Sequence, residues 1–464
     1  MMPASSYRWV ILGAAFLIIA MSIGTLFTLA VFLEPMERSL GWSRASIGAI
    51  GFFNWIVMGA GGFVAGYFSD RFGTRIVVLI GSGLLGAGLL LSSQVSAVWQ
   101  FYLTFGLMVG GGVSAFYVPL TVTAVKWFGG SRGMAAAVVS AGNGLGILAL
   151  SPLSRWLINE FEWRTAFVVL GDLAWLIVIP AALLLRTPPT PAEDDRGWGS
   201  AGAMSGPPQM VESQARHLVP SEGMAGAMSG PPQMVESQAR HLVRGEGMAG
   251  TMSGRNLAVT PGMAALGVWR SWPFWAIALT HFACCAAHSG PLFHMVSHAI
   301  DLGIGKMAAA GILGASGFSS IFGRIGTGMV ADRVGAKPTL LAALALQAVM
   351  ISSFLLTSDL GAMYGLALVF GVAYGGAMPL YALVTREYFG ERVMGTAYGA
   401  VFFISCIGMG IGSYAGGAIH DALGSYTWLF LGSFAIGSMA VALGVTLRPP
   451  ARQPAGAMVA VDTH

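Results

Sequence analysis

Charge is scarce in this chain: only 9% of its 464 residues are Asp, Glu, Lys or Arg, while 55% are hydrophobic and the mean hydropathy is +0.71. That balance excludes an ordinary soluble globular protein, about a quarter of whose residues are charged. The net charge is only +4, and no basic cluster interleaves with aromatics, so a nucleic-acid partner is excluded as well. Cysteine is equally rare. Cys284, Cys285 and Cys406 all lie in apolar stretches, and adjacent cysteines on a helix point in different directions, so packing is expected of them rather than a disulfide or a metal site. The signatures of catalysis are missing too: no nucleophile beside a base, no HExxH, and no strand leading into GxGxxG. Neither an enzyme nor a cofactor is expected.

What the chain has in abundance is apolar, charge-free runs. Twelve of them, near 9–33, 45–69, 76–94, 100–125, 133–157, 165–185, 271–299, 307–331, 338–357, 361–385, 393–420 and 426–447, predict an all-α membrane protein. Each is long enough for a helix to cross a hydrocarbon layer of ~30 Å. The first run is too long for a removable signal and is expected to stay as the first helix. With the N-terminus inside, 18 Lys and Arg fall on the cytoplasmic side against 5 outside, or 11 against 5 without the long central loop. Basic residues are retained on the cytoplasmic face, so both termini are expected there, in the cytoplasmic (inner) membrane of a monomer embedded in lipid.

Residues 186–270 interrupt this pattern. AGAMSGPPQMVESQARHLV at 201–219 recurs unchanged at 225–243, in a tract rich in Gly, Pro, Ser and Met. Such a tract buries too little apolar surface to offset its chain entropy, so it is expected to be a disordered cytoplasmic linker, the alternative being a docking tail. It separates a six-helix bundle over 1–185 from another over 271–447, with a cytoplasmic tail at 448–464. The two halves repeat each other. GYFSDRFGTR at 66–75 matches GMVADRVGAK at 328–337 at an offset of 262, and Pro119-Leu120 matches Pro379-Leu380 at an offset of 260. Parallel duplication of this kind is expected of a transporter built from two related bundles.

Gly66, Asp70, Arg71, Gly73 and Arg75, echoed by Gly328, Asp332, Arg333, Gly335 and Lys337, resemble the loop motif of the major facilitator superfamily. The glycines are expected to allow close helix approach and the charged residues to form a gating scaffold at the bundle interface. KWFGGSRGMAAAVVSAGNGLG at 126–146 and GWSRA at 41–45 are similar to the monocarboxylate transporter family and its oxalate/formate exchanger relatives. The resemblance implies two pseudo-symmetric six-helix bundles carrying small monocarboxylates such as L-lactate or pyruvate, commonly with a proton, by alternating access. Anion exchange of the oxalate/formate type is the alternative, and a transporter-like receptor that binds an anion without moving it stands further off.

Arg324 is the strongest candidate for the site. A guanidinium inside a bilayer helix costs roughly 2.5 to 3.5 kcal/mol on insertion scales, so it is kept only where it faces water or an anion. Through the repeat it falls opposite Gly62, so the duplicated scaffold requires no charge there. It also falls on the family's arginine position, whereas Ser320 stands where mammalian members carry an Asp, and Phe27 appears where they carry a lysine. A structural ion pair with Asp172 is the blander reading. Tyr117 and Tyr374, at membrane depth near Pro119 and Pro379, each offer a hydroxyl for a carboxylate or a packed phenol. Asn143 sits in the run of Gly142, Gly144 and Gly146, suited to substrate or to a neighbouring helix. Leu145, Phe402 and Cys406 are candidates for the apolar side of the pocket. For the proton, His281 and His288 lie on one helix face, Asp301 lies just beyond that helix, and His294 and His298 are expected at the membrane interface.

Overall fold

The structure is a computed structural model, and it describes residues 4–128, 132–186 and 267–447. The linker over 187–266 and the tail beyond 447 lie outside the described residues, as do the expectations attached to them. Among the described residues there is no strand. In chain order the helices are α1 (Ala4–Leu40), α2 (Arg44–Phe72), α3 (Thr74–Ser92), α4 (Val98–Phe101), α5 (Gly110–Ser114), α6 (Tyr117–Trp127) and α7 (Arg132–Leu183). The second half holds α8 (Trp272–Asp301), α9 (Lys306–Val334), α10 (Ala336–Ser353), α11 (Leu360–Leu423) and α12 (Thr427–Val445).

Eleven of the described segments are long and apolar enough to cross a membrane. One of them, Gly133–Leu183, has 51 residues. At 1.5 Å per residue it would be about 77 Å long, more than twice a ~30 Å hydrocarbon layer. The chain breaks within it at Glu162, where φ is 78° and ψ is 162°, so α7 is two crossings and the twelve expected spans are present. Helix α11 likewise breaks, at Gly390 with φ 70°. The first helix overshoots its expected span because Glu34, which ends the charge-free run, pairs with Arg38 one turn later at 2.7 Å.

The fourth span is the least regular. It begins as α4, continues as a π-helical stretch at Tyr102–Val109, and is interrupted at Ala115 and Phe116 between α5 and α6. The wider π turn loosens the backbone ladder, and the buried Asn54 of α2 donates to its Phe105 carbonyl at 2.8 Å. The helical run is thus broken just before Tyr117, two residues ahead of Pro119. No such break occurs at Pro379, which lies inside α11.

The described helices form one compact unit in which α2 runs along α11 and α7 along α9. These seams depend on missing side chains. A Cβ on Gly317 of α9 would lie 2.7 Å from Ile147 Cβ and 2.8 Å from the Gly144 carbonyl of α7. Small residues let backbones touch where a membrane supplies no hydrophobic drive between helices.

The duplicated loop motif forms matching turns. Gly73 has φ 86° and Gly335 has φ 102°, a region that disfavours side chains, and these two residues end α2 and α9. Close helix approach, expected of the motif glycines, is not what Gly66 and Gly328 provide: a Cβ on Gly66 meets only Val118 at 3.8 Å, and one on Gly328 meets nothing within 4 Å. Asp70 ends up in the last turn of α2, while Arg71, Arg75, Asp332 and Arg333 are exposed rather than held in an interface. Lys337 does the bridging, donating to the Val445 carbonyl at 3.1 Å and to the Leu447 carbonyl.

Candidate functional site

Midway along the helices, between the two halves, lies a cavity of about 80 Å³. Its lining is split by chemistry. The N-terminal half supplies mainly apolar atoms from Ile23, Phe27, Trp55, Met58 and Ile147, with Tyr117 and Asn143 as polar members. The C-terminal half supplies most of the ionisable groups: His281, Cys285 and His288 from α8, Arg324 from α9, and Tyr374, Tyr398 and Cys406 from α11. Among the described lining residues there is no carboxylate.

Arg324 is 4% exposed. Its Nη1 donates to the hydroxyl of Ser140, across the gap on α7, at 3.2 Å, and its buried Nε has no partner. The ion pair with Asp172 does not form, since Asp172 is exposed. Ser320, one turn before Arg324, spends its hydroxyl on the Gly317 carbonyl at 2.7 Å and does not line the cavity. A buried cation held by one neutral hydroxyl, with a donor left over, lacks a counter-anion.

Three further buried polar atoms in the same wall have no partner: the Tyr374 hydroxyl, Asn143 Oδ1 and His281 Nδ1. Three of these four atoms, on Arg324, Tyr374 and Asn143, mark a site built for a polar ligand, because an unsatisfied buried group is otherwise costly, while the His281 ring is pressed on Tyr381. Tyr117 lies flat on Phe402, with ring centres 5.7 Å apart and planes 6° apart, and thereby joins α6 to α11. The imidazole of His288 stacks on Tyr374 at 5.4 Å, and that of His281 on Tyr381 at 3.8 Å.

Of the residues expected at the site, Arg324, Tyr117, Tyr374, Asn143, Phe402, Cys406, His281 and His288 are brought together. Leu145 is not. It lies two residues past Asn143, about 200° around the helix, and Ile147, a full turn from Asn143, takes the wall position. Asp301 is also elsewhere, at the end of α8, where it receives Arg44 Nη1 at 2.8 Å and Nη2 at 3.3 Å and stands 3.3 Å from His420 Nε2. His294 and His298 are buried among the helices toward the end of α8, and His294 Nε2 donates to the Ser413 carbonyl at 2.9 Å. Sequence reasoning missed Trp55, Met58, Cys285 and Ser140. Cys285 was within reach, being four residues after His281 and three before His288 on the same face.

At the Arg44 end of the bundle the cavity is sealed. Phe27 of α1 stacks on Phe293 of α8 at 5.1 Å. Beyond them Arg44 binds Asp301, Glu37 and the Tyr426 hydroxyl, while Lys306 reaches Glu34 at 2.9 Å. Asp421 of α11 accepts the first backbone N–H groups of α2, from Arg44 at 3.2 Å and Ala45 at 2.7 Å, and so caps a helix of the other half.

A family model described as Major Facilitator Superfamily matches residues 14–413. The chain is 24% identical to monocarboxylate transporter 13 of Bos taurus over 433 residues, covering 92% of this chain and 86% of that protein. It is 23% identical to monocarboxylate transporter 2 of Homo sapiens over 452 residues, covering 96% and 85%. Among solved structures it is similar to a bacterial homolog of the human lysosomal transporter Spinster, with a TM-score of 0.61, 14% identity, and 95% and 94% of the two chains covered. That likeness concerns the fold.

Proposed function

The chain belongs to the major facilitator superfamily, within the monocarboxylate transporter family, and we propose that it carries small monocarboxylates such as L-lactate and pyruvate together with a proton. It is a multi-pass membrane transporter and not an enzyme. In this reading the two halves rock around the central cavity and both termini face the cytoplasm. The Arg44 end then faces outward, and the structure is closed on that side.

One observation carries the substrate class: Arg324 is buried in the cavity without an anionic partner and keeps a free donor. A guanidinium fork matches a carboxylate in two parallel hydrogen bonds. Size supports a small acid. At ~15 Å³ per water position, a cavity of this volume holds about five waters, the size class of a three-carbon acid with some of its shell. The apolar wall from Phe27, Trp55 and Met58 suits the methyl end of such a molecule. A proton removes the cost of moving an anion against an inside-negative potential, about 2.3 kcal/mol per 100 mV.

Uptake of labelled L-lactate into proteoliposomes, with a pH gradient and no substrate inside, tests the reading. Accumulation that follows the gradient and collapses with an uncoupler is expected. Uptake that requires a preloaded anion identifies an exchanger instead, and absence of both binding and uptake refutes the assignment to monocarboxylates.

A further inference from the structure

We infer that His288 is the group that takes up the transported proton, through Nε2, while His281 stays neutral. The inference rests on the symport reading and names its coupling residue. With no carboxylate among the described lining residues, the two imidazoles are the groups there whose ordinary titration range is physiological. Their hydrogen bonds set them apart. His288 Nδ1 lies 2.8 Å from the Cys284 carbonyl, one turn back on α8. A carbonyl can only accept, so Nδ1 carries the hydrogen and the neutral ring has its lone pair at Nε2. Nε2 is on the opposite edge of a ring that lines the cavity, where a proton can arrive and its N–H can meet water or a bound carboxylate.

His281 offers no such arrangement. Its Nδ1 is buried without a partner, against Tyr381. An imidazolium there would bury an N–H bond with nothing to accept it, and a charged donor left unpaired is more costly than a neutral one.

Charge in the cavity then makes the coupling. The groups around His288 are His281 on the same face of α8, Arg324 of α9, the phenols Tyr374 and Tyr398 of α11, Tyr117 of α6, the thiols Cys284, Cys285 and Cys406, and Gln347 of α10 beside Cys284. Arg324 alone gives the empty cavity a charge of plus one. A proton by itself makes plus two and is repelled; a carboxylate by itself makes zero; both together restore plus one. The anion therefore raises the affinity for the proton, and by linkage the proton raises the affinity for the anion by the same factor. Proton leak without substrate is suppressed for the same reason.

Full-length protein tests this in two ways, with substrate binding measured across about pH 6 to 8 and with uptake into proteoliposomes. His288→Asn keeps an amide donor near the Cys284 carbonyl and removes the lone pair; His288→Gln places an amide near Nε2 that does not protonate. For wild type, L-lactate affinity is expected to fall on the order of tenfold as pH rises through the histidine range. Both variants are expected to lose that dependence and to lose accumulation driven by the pH gradient, while lactate counterflow, which needs no net proton movement, stays measurable. His281→Gln is expected to keep the pH dependence. Gradient-driven accumulation with a wild-type pH profile in either folded His288 variant overturns the inference, as does loss of coupling in His281→Gln alone. Failure of wild type itself to bind lactate strikes the symport reading and not the choice of histidine.

Discussion

Replacing Arg324 by Lys keeps the charge and removes the fork. In the structure Nη1 is held by Ser140 at 3.2 Å and Nε is unpaired, so the guanidinium keeps donors to spare for a carboxylate. A lysine ammonium at that position can serve Ser140 or the ligand but has no planar pair of donors to serve both. A hydrogen bond to a charged group contributes roughly 1.5 to 3 kcal/mol. At about 1.4 kcal/mol per decade, the Lys variant should bind L-lactate about 10-fold to 150-fold more weakly. Arg324→Gln also removes the charge, and losing one partner of a buried pair costs roughly 2 to 5 kcal/mol, or about 30-fold to several thousand-fold. Ser140→Ala removes a hydrogen bond that positions the guanidinium without touching the ligand, and should weaken binding about 2-fold to 12-fold. Calorimetric titration of purified protein at fixed pH, paired with initial uptake rates, reads all three. If Arg324→Lys binds within about twofold of wild type, the guanidinium is not the clasp and the case for a carboxylate substrate fails.

Arg44→Ala should loosen the sealed end. A reporter cysteine in place of Ser413, buried just beneath that seal, should then react several-fold faster with a membrane-impermeant maleimide, and equal rates would argue against a closing role for Arg44. Glu162 holds φ 78° with a side chain, a conformation costing on the order of 1 to 3 kcal/mol, so Glu162→Gly should raise the melting temperature; a lower one would refute the strain. Leu145→Ala should leave the KM for L-lactate within about twofold, because Ile147 and not Leu145 reaches the cavity, and a larger change would put Leu145 back in the site.

Which parts of this site were legible in the sequence follows from the solvent around the helices. The spans stood out because a charge in hydrocarbon is expensive, and Arg324 stood out for the same reason, as an exception with no counterpart in the repeat. Tyr117 and Tyr374 could be placed by depth and by the prolines beside them. Leu145 could not be told from Ile147, because lipid and protein interior are equally apolar and a membrane helix has little hydrophobic periodicity to show which face meets a cavity. Trp55 and Met58 were hidden in the same way. Asp301 lies at the helix end where the sequence put it, but its partner Arg44 is 257 residues away, and no local pattern records that contact.

The seal at the Arg44 end has to be strong enough to close and weak enough to open. Its ions are partly wet: the side chains of Asp301, Lys306 and Glu37 are 37%, 38% and 32% exposed. Their partners Arg44 and Glu34 are 8% and 6% exposed, so each pair is wet on one side only and holds less firmly than a fully buried one, while the cap that Asp421 gives α2 adds roughly 0.5 to 2 kcal/mol. Opening that end therefore loses several weak bonds rather than one strong one, and water replaces most of them. Arg155 and Glu34 differ, since both side chains are nearly buried, yet they join α7 to α1 inside one half and need not part. Within a half the helices also meet backbone to backbone, as where a Cβ on Gly24 would fall 2.7 Å from Gly146. Backbone-close contacts also cross between the halves, as at Gly317 and Ile147, so what sets the closed end apart is its part-hydrated ions, the bonds that water can replace when, as proposed, the halves rock about Arg324.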